Sequence, residues 1–337
     1  MATKAKKGGV AIAKKSSAGT TNTAKKSMVK VVVMEDKGEW VRPEKGSKNY
    51  ITDDAVFPEI IFEIKTQEKG PYKWSWSIVW DAKVSGLKES DQRGKTLKTF
   101  QEKGAIETEQ TNWRCDLGGK IIGGTLTLEV EAGNSKFKRS IFICGTNPSA
   151  EQIKGFVDTL SEAKGYEKIL QHEAHGKNFI DADGLPVVAF DKGYGVAQLT
   201  SPAPAYEQVW SWKENAKTGL ALYQTKRADA KRYLSKHGKD SFTEEQLQIE
   251  TYTRYNGGSY HEWDGSAKKW VRHPNILCDT NASNIGWNTG ADANKGKSEP
   301  DLHKRDVKTY KLGKAGQDAT HDWDYTGVCY AEHVGQK

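Results

Sequence analysis

Residues 172–198 hold the side chains whose types and spacing could do acid–base chemistry. Glu173 stands in the run His172-Glu173-Ala174-His175, and about twenty residues later comes the segment Gly193-Tyr194-Gly195-Val196-Ala197-Gln198. A carboxylate at a helix end facing a glycine-rich turn can bring a proton to a polar substrate. Three aspartates, Asp181, Asp183 and Asp191, lie between the two motifs. The histidine pair invites a zinc reading, but the zinc-protease helix needs its two histidines one turn, four residues, apart. Here the separation is three and no further ligand follows, so no metal and no cofactor is assigned. The histidines are expected to hydrogen-bond locally or to substrate.

The chemistry that fits one such acid is glycoside cleavage. It needs a protonated carboxyl at the glycosidic oxygen and a group that stabilises or captures the oxocarbenium-like centre. Glu173 can be the acid, and Asp181, Asp183 or Asp191 can hold a water on the other sugar face. Positioning falls to the elements around them. Ser149-Ala-Glu-Gln152 has capping-box spacing and starts a helix expected to reach about Ala163. A second helix spans Tyr166 to His175 and ends at Gly176. Ile169 and Glu173 are four apart and share a face, so the carboxyl emerges at the edge of a buried stripe. Partial burial raises its pKa.

Farther on, helices are expected over Ala205 to about Tyr223, Arg227–His237 and Thr243–Tyr255, the last closed by Asn256-Gly257-Gly258. Residues 275–305 read as loop, and Val328–Val334 as one or two helical turns. Residues 28–147 read as β-structure. Val31–Met34 is a short apolar run; Ile60, Phe62 and Ile64, then Trp74, Trp76, Ile78 and Trp80, then Leu126, Leu128 and Val130 alternate with period two. Short strands with no helix between them indicate an immunoglobulin-like β-sandwich. The tryptophan stripe is expected to be core rather than a sugar platform.

Charge and cysteine usage narrow the function classes. Residues 1–27 carry seven lysines and no acid; removing them from 51 basic residues leaves 44, against 44 acidic ones. The body is neutral, so no nucleic-acid partner is indicated. The lysine-, alanine- and serine-rich tail is expected to be disordered. Cys115, Cys144, Cys278 and Cys329 form no CxxC pair, which excludes zinc-ribbon and thioredoxin-like readings. No apolar run approaches the ~18 residues of a membrane helix, and Gly8–Ala13 is too short for a signal-peptide core.

Four motifs in order carry a resemblance: Glu173 closing a helix, Gly193-Tyr-Gly-Val-Ala-Gln198, Trp212-Lys-Glu-Asn215…Gly219, and Arg254-Tyr-Asn-Gly257. Together they resemble the soluble lytic transglycosylase and goose-type lysozyme superfamily, over about residues 150–265. The resemblance implies a mainly α-helical lysozyme-like domain, 148–337; with the tail 1–27 and the β-sandwich accessory domain 28–147 read above, the expected chain is α+β and multidomain. It further implies cleavage of the MurNAc–GlcNAc bond of peptidoglycan, with Glu173 as acid/base. Gly193, Tyr194, Gly195 and Gln198 would line the glycan cleft, and Tyr255 and Asn256 would orient the acid and the sugar. Transglycosylases close a 1,6-anhydro ring, whereas goose-type lysozymes use aspartates to hydrolyse; Asp191 is the preferred water holder here, a plain turn residue otherwise. Ala174, Ala197 and Arg254 depart from the Ser, Met and Ala usual in the family.

A wall-cleaving chain without a leader implies export by a dedicated machine to the periplasm or wall of a target bacterium. A type VI-like secretion apparatus or phage tail would engage the N-terminal region, and a cognate immunity protein would plug the Glu173 cleft. The alternatives are a phage tail-associated lysin and a non-catalytic glycan-binding protein.

Overall fold

The computed structural model describes residues 36–84, 94–174, 179–189, 191–279, 284–306 and 322–336. The lysine-rich tail, the apolar run at Val31–Met34 and His175 lie outside these. The alternating segments form strands. In chain order these are β1 (Trp40–Arg42), β2 (Lys48–Tyr50), β3 (Ile61–Ile64), β4 (Tyr72–Lys83), β5 (Thr96–Thr108), β6 (Asn112–Arg114), β7 (Gly124–Ala132) and β8 (Ser135–Cys144). They build a five-stranded sheet of order β2-β8-β7-β4-β5 and a three-stranded sheet of order β1-β3-β6. All pairs are antiparallel except β2 with β8.

Period two turns Trp74, Ile78 and Trp80 of β4 to the same side as Leu126, Leu128 and Val130 of β7, and all six are buried. Trp113 of β6 stacks on Phe62 of β3 at 6.1 Å and lies 6.4 Å from Trp74, so one core joins the two sheets. The tryptophan stripe is therefore core. That core continues into the second half of the chain. Trp210 meets Trp80 edge-on at 5.7 Å, Tyr194 meets Phe100 of β5 at 6.3 Å, and Tyr206 donates from Oη to the Gly123 carbonyl at 2.5 Å. A Cβ on Gly123 would sit 2.3 Å from the Trp210 ring, so only glycine lets the indole seat there.

The second half contains α1 (Ala150–Asp158), α2 (Tyr166–Ala174), α3 (Tyr206–Trp210), α4 (Trp212–Leu234) and α5 (Glu244–Asn256). After them come β9 (His261–Asp264), β10 (Lys269–Arg272), β11 (Ile276–Cys278), β12 (Ile285–Asn288), α6 (Glu299–Asp306), β13 (Trp323–Tyr325) and α7 (Gly327–Gly335). The Ser149–Gln152 capping box is present in both directions, and α1 ends at Asp158, short of Ala163. The two helices expected over 205–237 are divided elsewhere. Ser211 closes α3 and caps α4, its Oγ accepting from the Glu214 amide at 3.3 Å, and α4 then runs on to Leu234 because no breaker lies between Tyr223 and Arg227.

The expected architecture, an immunoglobulin-like sandwich followed by a mainly α-helical lysozyme-like domain, is corrected by this structure. The described residues are 29% helix and 31% strand in several small sheets, and five strands fall after α5. Two local causes are visible. Asp264 accepts the amides of Ser266 and Ala267 and so shapes the four-residue loop that joins β9 to β10, with Lys268 at φ +50°. The hairpin pairs Trp263 with Trp270, and Trp270 packs on Ala230, Leu234 and Leu247. In the segment read as loop, 275–305, β11 and β12 form; β12 also pairs with β13 beyond it, and the three antiparallel strands bury Ile285, Trp287 and Trp323 with Leu302 of α6. Cys278 of β11 and Cys329 of α7 form a disulfide, while Cys115 and Cys144 are buried thiols.

Candidate active site

Glu173 sits on the last turn of α2, beside the buried Ile169, Leu170 and Ala174. That arrangement holds the carboxyl at the rim of an apolar stripe, partly accessible yet enclosed on most sides. Its Oε1 accepts a 2.6 Å hydrogen bond from Tyr330 Oη of α7. Burial pushes the carboxyl above its ordinary pKa; the Tyr330 bond opposes this, and the Asp191 charge adds to it. Tyr330 and Tyr166 are almost fully buried, and Tyr255 of α5 lies close enough that the charge of Glu173 raises its phenol as well, after burial. One phenol, Tyr330, thus bonds the acid, and Tyr166 and Tyr255 lie within reach of its charge. His172 places its ring edge-on to Tyr330 at 4.9 Å.

The glycine-rich segment is a tight turn, fixed from beneath by α4. Asn215 is wholly buried, accepts the Ala197 amide at 2.8 Å and donates to the carbonyls of Tyr194 and Gln208. Gly195 has φ +74°, and a Cβ there would lie 2.2 Å from the Asn215 amide. Gly219 is needed for a similar reason: a Cβ would meet Tyr166 Oη at 2.2 Å and Ala197 Cβ at 2.4 Å. Tyr255 Oη donates to the Ala197 carbonyl at 2.9 Å, tying the turn to the helix beside the acid. The spacing Asn215…Gly219 is one helical turn, which sets both contacts on one face of α4.

The sequence-derived residues are distributed unevenly. Gly193, Tyr194 and Gly195, expected to line a cleft, are buried, and Tyr194 belongs to the core beside Phe100. Gln198 is half-buried at φ +47°, its Nε2 donating to the Gly195 carbonyl at 2.9 Å. Asp191 is exposed, and its Oδ1 accepts the Gly193 amide at 3.1 Å. Asp181 accepts the amides of Asp183 and Leu185 in a turn near Cys144, a role in local structure. Asn256 is exposed at the end of α5. Tyr255 bonds to the turn, and the phenol that holds Glu173 is Tyr330. Nothing local points to Tyr330, which lies 157 residues away; only its place in an apolar C-terminal segment marks it as buried.

Among the described residues no group of three or more His, Cys, Asp or Glu could hold a metal ion, and no helix is long and apolar enough to cross a membrane. No family model, curated protein or solved structure matches the chain.

Proposed function

We propose that this chain cleaves the β-1,4 bond between N-acetylmuramic acid and N-acetylglucosamine in peptidoglycan, with Glu173 as general acid and then base. The observation that carries the reading is the Glu173 carboxyl itself: raised in pKa by burial, partly accessible, and oriented through Oε1 by Tyr330 at 2.6 Å. A carboxyl of that kind remains protonated to higher pH than a free one and can give its proton to a glycosidic oxygen. Once ionised, it takes a proton from the incoming hydroxyl. Asp191, exposed beside the turn and near enough for its charge to act on Glu173, is the residue to hold a water if that hydroxyl is water. If it is the muramyl C6 hydroxyl, the product is a 1,6-anhydro sugar and Asp191 has no part.

The Cys278–Cys329 disulfide supports action in an oxidising compartment, as the bacterial periplasm is. Digestion of purified cell walls tests the proposal. Glu173→Gln should reduce cleavage by about 10²–10⁴-fold, the range of a lost general acid, with the circular dichroism spectrum unchanged. Undiminished release by that variant would remove Glu173 from the mechanism. Product mass then separates anhydro-muramyl ends from reducing ends, and Asp191→Asn should slow only a reaction that yields reducing ends.

A further inference from the structure

We propose that the Cys278–Cys329 disulfide positions the acid, so that the site is competent only while the bond is formed; this rests on the reading of Glu173 as the acid. Cys329 immediately precedes Tyr330 on α7, and successive residues of a helix point about 100° apart. The bridge therefore faces the β11-β12-β13 sheet while the phenol faces α2. The sheet is shaped for the bridge: a Cβ on Gly286 of β12 would lie 2.7 Å from Cys329 Sγ. Arg272 ties the Cys278 end of the bridge to α7. Its Nη2 donates to Cys278 Sγ at 3.4 Å, and its Nε donates at 2.5 Å to Glu332, three residues beyond Cys329.

Packing seats the helix as well: Tyr330, Ala331 and Val334 belong to the core shared with α2, α4 and α5. A nine-residue helix is too short to persist on its own, so the place of α7 is set by what it is attached to. Thr326 caps it through the Val328 amide at 3.2 Å, and Gly327 packs against the last turn of α5. Of these attachments, the disulfide is the covalent one and lies next to the phenol. A displacement of about 1 Å in a catalytic group can cost about 10²-fold in rate, so a small slide of α7 is enough to silence the site.

Reduction is a two-electron step. A thiolate of a dithiol reductant attacks one sulfur, its second thiol closes a cyclic disulfide, and Cys278 and Cys329 each end as thiols carrying a proton. Cys115 and Cys144 are thiols before and after. The protein would be quiet in a reducing compartment and active in an oxidising one.

The test compares the full chain oxidised, reduced with dithiothreitol, and as the Cys278→Ser/Cys329→Ser variant. Turnover on purified walls should fall at least about tenfold in the last two with half-saturation little changed, and reoxidation should rescue the reduced wild type alone. The alkaline limb of the pH profile should move up, because loss of the Tyr330 bond removes a contact that favours the ionised acid. Amide exchange should quicken in 327–336 and remain slow in β4 and β7, which shows the remainder folded. Full turnover with unchanged exchange in α7 overturns the proposal. If oxidised wild type leaves walls intact, the glycosidase reading fails instead; the positioning claim is then decided by α7 exchange and the Glu173 carboxyl titration by NMR, where no change on reduction sinks it.

Discussion

Glu173 owes its chemistry to a conflict between burial and a single strong hydrogen bond. Burial disfavours the charged form and Tyr330 favours it, and burial is the larger effect. Because the folded pKa is raised, the stability linked to this group is present below the unfolded pKa and is lost as pH rises through the folded pKa. Glu173→Gln should therefore be more stable than wild type at about pH 8 and no more stable at about pH 4, as read by urea denaturation. Cleavage should follow the same group, with an alkaline limb above the ordinary carboxyl range. Tyr330→Phe deletes one hydroxyl and one bond. It should move that limb further up, lower turnover, and cost about 1.5–3 kcal/mol of stability above the Glu173 pKa, where the acceptor is charged.

At the scale of elements, the site is a turn clamped between α4 and α5 and an acid clamped between α2 and α7. Asn215→Ala leaves the buried Ala197 amide without its side-chain partner and takes one bond each from the Gln208 and Tyr194 carbonyls, the latter keeping the Leu199 amide. At about 1–3 kcal/mol for a buried group left unsatisfied, the loss should be at least about 2 kcal/mol in urea denaturation. Gly195→Ala should be comparably harmful, since it adds a left-handed backbone penalty to a clash with Asn215. Much of this level was legible in the sequence. The capping box at Ser149, the Gly257 stop after α5 and the alternation around Trp74 each mark an element by local chemistry. Asn215 and Gly219 were legible as a motif, but their work, holding the turn from beneath, depends on contacts between elements that no spacing encodes. Tyr330 was illegible because its partner is 157 residues away.

For the whole molecule, the tryptophan-rich sheets and the site share their packing. Trp80 and Phe100 on one side receive Trp210, Tyr194 and Tyr206 on the other, so the site-bearing turn is built onto a β core. The short strands after α5 escaped the sequence because three- and four-residue runs such as Ile276–Cys278 are too brief to show a period. They gain stability from pairing and from the Trp287–Leu302–Trp323 cluster. The disulfide closes a separation of 51 residues, and its reduction should cost about 2–5 kcal/mol, seen as a lower urea midpoint. The central claim, that Glu173 gives the proton that breaks a wall glycan, has one direct measurement: soluble muropeptides released from purified peptidoglycan by oxidised wild type and by Glu173→Gln at matched concentration. The account predicts release by the first and at most about 1% of that rate by the second. Equal release by both, or none by either, contradicts it.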